Sequence, residues 1–166
     1  NFAPQRDKKA IHEARFADPA YNDYRLQPDS PLIGKGPGGS NRGAFPTQTG
    51  HIYYVGPKGN DAASGRSERQ AFRTLAKSAS VLKAGDTLYL LPGVYRESLI
   101  VKASGRPGAP VRVRAFGKKQ ASVAHIEAAG SHIVLEGITV AKGGGDGVTA
   151  AGRNVTVKDC LVFGRS

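Results

Sequence analysis

The sequence predicts an all-β coil: a right-handed parallel β-helix of about 22 residues per rung, with an amino-terminal capping α-helix and an irregular segment before it. Three observations predict it. Short runs of alternating apolar residues recur at a fixed spacing, as they do in solenoids. Glycine, 22 residues of 166, punctuates those runs. One longer stretch, about residues 68–82, instead carries the 3.6-residue apolar period of a helix.

Residues 1–50 hold Pro4, Pro19, Pro28, Pro31, Pro37 and Pro46, with glycines gathered between positions 34 and 43. They show no sustained period beyond a short helical turn around Lys8–Arg15, so they read as an irregular segment plus linker. A second domain is expected to begin near residue 51. His51–Pro57 reads as a strand that Pro57 ends, because proline cannot donate to a ladder. Residues 58–67 form a polar loop. A helix is expected from Glu68 to Leu82, with Ser67 as N-cap and Gly85 as its stop. Phe72, Leu75, Ala79 and Leu82 make one apolar stripe on it, suited to covering the first rung. Thr87–Leu91 is a further strand, and Pro92-Gly93 turns the chain.

From there the sequence repeats. Gly130–Val140 superposes on Gly152–Val162 with a 22-residue offset and coincident apolar positions. One step back from Ile133, Leu135 and Ile138 lie Val111, Val113 and Phe116. Leu88 and Leu90 take the same places one step earlier, with one extra residue. The expected inward stacks are therefore Leu88–Val111–Ile133–Val155 and Leu90–Val113–Leu135–Val157, with Cys160 inward beside Phe116 and Ile138. Each unit has room for three short strands and three turns. Three to four rungs at ~4.8 Å give a stub of roughly 15–20 Å whose last edge is raw, inviting self-association or further rungs.

Residues 1–50 carry 7 basic and 5 acidic side chains, and the remainder carries 17 and 8. The formal net charge of +11 therefore sits mainly on the repeating part and favours polyanions. Nucleic acid is disfavoured, because aromatic stacking platforms and reading motifs are missing. No apolar run approaches the ~18 residues of a membrane span. The single cysteine, Cys160, allows no internal disulfide. The chain begins at Asn1 and has no methionine, which reads as a processed chain or a piece of a longer one.

Alternation between Val111 and Val113 turns Arg112 and Arg114 outward, and the repeat stacks Arg114 on Glu136 and Glu136 on Lys158. Opposite charges on adjacent rungs make a structural ladder. The functional reading of the same surface is a site for saccharide carboxylates, with Arg112, Arg114, Lys142, Arg153 and Lys158 as donors. Gly34–Gly39 spells Gly-x-Gly-x-x-Gly but lacks the strand and helix that a nucleotide site needs. Gly143–Gly147 resembles a calcium-binding turn that works only when repeated, and it occurs once. His12, His51, His125 and His132 lack metal-ligand spacing, so no metal site is expected within the chain. Asp86, Glu97, Glu127, Glu136, Asp146 and Asp159 form no recurring set, and no acid–base carboxylate pair is visible.

Three segments resemble a known group. They are Ile52-Tyr-Tyr-Val-Gly-Pro-Lys-Gly-Asn-Asp61, Ala84-Gly-Asp-Thr-Leu-Tyr-Leu-Leu-Pro-Gly-Val-Tyr-Arg-Glu97 and Ser104-Gly-Arg-Pro-Gly-Ala-Pro-Val111. Their order is similar to the amino-terminal part of family-nine pectate lyases and related lyases of the pectate-lyase-like β-helix superfamily, over about residues 51–166. Phe16–Pro19, Asp23–Gly36 and Arg42–Phe45 are similar to the closing segment of such helices, which implies a tandem or permuted arrangement.

The resemblance implies a secreted or cell-surface protein acting on or binding acidic polysaccharide. Its chemistry would be calcium-dependent β-elimination, with Asp ligands and a Lys or Arg base on later rungs. No position here matches those residues, so catalytic residues stay unassigned and Ca2+ is expected only in a full-length protein. Whether the chain is an enzyme stays open. The other expectation is a non-catalytic module of an extracellular fibre, surface layer or adhesin.

Overall fold

A computed structural model describes residues 15–18, 23–27, 30–34, 50–118, 121–141 and 147–163. The chain forms two compact units, Asn1–Thr47 and Gln48–Ser166. In the first, β1 (Phe16–Asp18) pairs antiparallel with β2 (Asp23–Leu26). The buried Gln27 ties off the pair: its backbone N–H donates to Arg15 O at 2.8 Å and its side-chain amide donates to Phe16 O at 3.1 Å. The helical turn expected around Lys8–Arg15 lies almost wholly outside the described residues.

The second unit is a parallel β-helix. Its strands are β3 (Ile52–Val55), β4 (Thr87–Leu90), β5 (Gly93–Val101), β6 (Val111–Ala115), β7 (Ala121–Ala128), β8 (Ile133–Glu136), β9 (Thr139–Ala141), β10 (Val148–Ala150), β11 (Val155–Lys158) and β12 (Leu161–Phe163). One wall runs β11-β8-β6-β4-β3. The long strands β5 and β7 each contribute to two further walls. The start of β7 pairs with β9, which pairs with β12, and the end of β7 pairs with β10. Every strand pair among the described residues of this unit is parallel. Three strands per rung is what a 22-residue unit of alternating strands accommodates.

Leu88, Val113 and Leu135 stack in register on the inner side of the first wall, all fully buried, and Val157 continues the row. Val111, Ile133 and Val155 make a second row. Leu99, Val101, Val123, Ile126, Ile138 and Val140 complete the interior from the other walls. Each such side chain contributes ~1.5–3 kcal/mol by leaving water.

The expected register at β4 is overturned. Leu88 pairs with Val113 and Leu90 with Ala115, so the chain advances by 25 residues there instead of 23. The slip is two residues, an even number, so both leucines still face inward. The extra length lies in the β5 bulge after Tyr95 and the tight Arg106–Ala109 turn. Phe116 also departs from expectation. It leaves the interior and packs edge-on against Tyr54 and Tyr89, with ring centroids 5.9 Å away in both cases. Those two tyrosines stack at 5.6 Å and are fully buried. β4 is thus buried on both faces.

The helix is shorter than the periodicity predicts. Residues Glu68–Gln70 form a 3-10 turn, and the α-helix, α1, spans only Leu75–Ser80. Its N-cap is Thr74, whose hydroxyl accepts from Lys77 N–H, whereas the Ser67 side chain caps nothing. Phe72 explains the difference. It is held in extended conformation against β3: Phe72 N–H donates to Tyr54 O at 2.9 Å and Gly56 N–H donates to Phe72 O at 2.8 Å. Gly65 O accepts from Tyr54 N–H. The outer edge of β3 is therefore covered by loop backbone, which satisfies its hydrogen bonds as a helix could not. The stripe residues Phe72, Leu75, Ala79 and Leu82 are nonetheless all buried in the core cluster.

Asp61 holds this loop to the helix. Its carboxylate accepts from Arg73 N–H at 2.8 Å, Thr74 N–H at 3.0 Å and the Thr74 hydroxyl at 2.9 Å. Burial pushes the carboxyl pKa upward, but the bonds from Thr74 and Arg73 and the charge of Lys77 bring it below the usual value. A depressed folded pKa means stabilisation that is present above the unfolded pKa of about 3.9 and lost as pH falls through the folded value. Asp61→Ala is expected to cost about 1–2 kcal/mol at neutral pH. In urea melts from pH 7 to pH 2, the gap between wild type and variant should close below about pH 4. A gap constant with pH would contradict this account.

Candidate functional site

Across the first wall, register aligns Tyr54, Tyr89, Arg114, Glu136 and Lys158 in one outward row. Arg114 Nε lies 2.6 Å from Glu136 Oε2, and Lys158 Nζ lies 2.7 Å from Glu136 Oε1. The ladder expected from the repeat is present, and it is more buried than a surface ladder. The Glu136 side chain is 6% exposed, Arg114 16% and Lys158 51%. The approach of Arg114 Nε to Glu136 Oε2 is oblique, an ion pair and not an aligned hydrogen bond between those two atoms. Two cations share one carboxylate, so the column keeps one positive charge, carried toward solvent at Lys158.

Arg112 projects from the same face as Arg114, two residues along β6 or ~7 Å away, and is half-buried. Arg153 is exposed in the turn before β11, where its N–H donates to Ser131 Oγ and its carbonyl accepts from His132 N–H. Lys142 lies outside the described residues. The structure thus brings Arg112, Arg114 and Lys158 onto one wall and puts Arg153 at the start of the strand that bears Lys158.

Four carboxylates, Asp61, Asp86, Glu97 and Glu136, have structural partners. Asp86 accepts from His51 N–H at 2.6 Å and Lys83 N–H at 2.8 Å. Glu97 accepts from Leu75 N–H at the start of α1, at 3.0 Å. Asp61 and Glu136 are engaged as above. Burial pushes the Cys160 thiol up, away from thiolate reactivity. Among the described residues no three His, Cys, Asp or Glu side chains gather around one point. His132 and Asn154 stack on consecutive rungs at 3.4 Å, in left-handed turn positions.

One feature escaped the sequence. The turns after β3 and β4 stack, and with the 3-10 turn they enclose a groove of about 460 Å³. Pro57, Leu91, Pro92 and Val94 give it an apolar floor, and Lys58, Glu68 and Arg69 line it too. Gly93, at φ +155°, permits the close stacking, since a Cβ there would sit 2.6 Å from Pro57 Cγ. The readable signal was the pair Gly56-Pro57 and Pro92-Gly93, but their adjacency depends on a pairing that spans 35 residues.

The chain carries a parallel β-helix fold, with a partly neutralised cationic column on one wall. Among solved structures it is similar to pectate lyase Pel9A, at TM-score 0.59 and 21% identity, over 69% of this chain and 33% of that one. Among curated proteins it is 40% identical over 68 residues to the uncharacterized protein YwoF of Bacillus subtilis (strain 168), covering 41% of this chain and 14% of that protein. It is 35% identical over 66 residues to alpha-1,3-galactosidase A of Akkermansia muciniphila, covering 39% of this chain and 11% of that protein. The chain therefore spans a small fraction of the curated relatives it matches. It matches no protein-family model. No helix among the described residues is long and apolar enough to cross a membrane.

Proposed function

We propose that this chain is the amino-terminal portion of a secreted or cell-surface β-helix protein that binds or acts on acidic polysaccharide. The observation that carries the reading is a cationic excess, 17 basic against 8 acidic side chains after residue 50, on a fold shared with pectate lyase Pel9A. Arg112, Arg153 and Lys158 are the donors best placed for uronate carboxylates, because Arg114 is largely buried against Glu136. Catalysis, as a calcium-dependent lyase, would need Asp ligands and a Lys or Arg base, which the resemblance assigns to later rungs.

Affinity electrophoresis in gels containing polygalacturonate tests the reading. Retardation should be clear in polygalacturonate, absent in neutral dextran and weakened by salt. Arg112→Gln, Arg153→Gln and Lys158→Gln together should weaken it about tenfold or more, while the circular dichroism spectrum stays unchanged. Equal retardation in both gels, or none in either, would sink the proposal.

A second reading, a non-catalytic module of an extracellular assembly, is favoured by one observation. The last rung exposes Val157, Leu161, Val162 and Phe163 at 45–55%.

A further inference from the structure

The groove beside the turns after β3 and β4 is built in advance of any occupant. Leu91 N–H donates to Val55 O at 2.8 Å and Asn60 N–H donates to Ala71 O at 2.9 Å, so its three backbone segments are tied to one another. The buried Tyr95 hydroxyl lies 2.9 Å from Val55 O and 2.7 Å from Leu91 O, and holds the two turns together from inside. A preformed groove of about 460 Å³ has the size of a small-ligand site, and filling it costs little ordering.

Its lining has two parts. Pro57, Pro92 and Val94 give an apolar floor open to water, with Val94 70% exposed. Lys58 and Arg69 stand exposed at the groove, and neither has an ion-pair or side-chain hydrogen-bond partner among the described residues. Glu68, the third charge there, is already engaged. Arg114 and Lys158, by contrast, share the Glu136 carboxylate. Uncompensated positive charge beside a shallow apolar floor is complementary to an anion with a flat apolar face. A uronate has that form: its pyranose ring presents a face of C–H groups, and its carboxylate projects from the rim.

We infer that this groove is a subsite for a short acidic oligosaccharide, with one uronate ring laid on Pro57, Pro92 and Val94 and its carboxylate met by Lys58 and Arg69. The inference rests on the polysaccharide reading for the class of anion, and the subsite shares no residue with the wall donors Arg112, Arg153 and Lys158.

The test is a titration of the 166-residue chain with trigalacturonate, read at the backbone amide resonances of Gly56, Gly59, Gly93 and Val94. These should shift saturably, and the neutral trisaccharide maltotriose should leave them in place at the same concentration. Lys58→Gln with Arg69→Gln should weaken binding at least about tenfold through the loss of two charge-assisted contacts. Both side chains are exposed, so the fold should hold. Groove amides that stay still, in a protein that polygalacturonate gels retard, would overturn the inference and leave the polysaccharide reading standing. Still amides with no retardation would overturn both. Equal shifts from maltotriose, or undiminished affinity in the double variant, would overturn the inference. So would cyclohexanecarboxylate acting as strongly as trigalacturonate, which would assign the groove to apolar carboxylates in general.

Discussion

Glu136→Ala is expected to destabilise the β-helix unit by about 3 kcal/mol, because it strips the shared counter-charge from Arg114 and Lys158. Arg114 is only 16% exposed, so its guanidinium would lie largely out of water beside a second cation. The two arms of the column are not equal. Lys158 is half exposed, and Lys158→Met should cost less than about 1 kcal/mol, as surface ion pairs do. A paired substitution isolates the cause. Arg114→Met with Glu136→Leu removes both buried charges while keeping apolar volume, and should recover most of the loss. Urea denaturation of the three variants checks the series. A double variant no more stable than Glu136→Ala would show that the glutamate acts through something other than its charge.

Gly130→Ala should be as damaging, although it adds a single methyl. A Cβ on Gly130 would sit 2.1 Å from the Ala103 carbonyl oxygen and 2.6 Å from its carbon. Both are backbone atoms of the rung below, fixed by the bonds that Ala129 and Gly130 N–H make to Val101 O. The rungs would have to separate locally, at a cost of about 3 kcal/mol, the upper range for overpacking. Gly108→Ala is the control. That glycine has φ +77° but nothing within 4 Å of a Cβ, so only backbone strain of about 1 kcal/mol applies. Comparable losses from the two variants would refute the close-stacking account.

These cases mark how far the residues could be read. The 22-residue spacing gave correct register wherever consecutive units had equal length, from Val111 and Arg114 through Ile133 and Glu136 to Val155 and Lys158. It failed at Leu88, because a longer rung can slip by two and keep the same inward pattern. Apolar period marked which residues of 68–82 are buried, but not which are helical. Phe72 obeys the helical stripe and still lies extended, since β3 offers it backbone partners that a helix would forgo.

Of the five candidate donors, alternation placed Arg112, Arg114 and Lys158 on one wall. It could not say that Arg114 would be largely buried with Glu136, because that depends on what surrounds the outward row. Phe116 and the groove by Pro57 and Pro92 were equally out of reach.

The sequence by itself determined the fold class, the rung length and the order of opposite charges along the column. A local repeat with period-two alternation specifies those without reference to distant residues. The tertiary structure alone decided the register of the first rung, the end of the helix and the burial of Glu136. Each depends on which backbone lies beside which, across 22 to 35 residues of chain, and no local pattern encodes that.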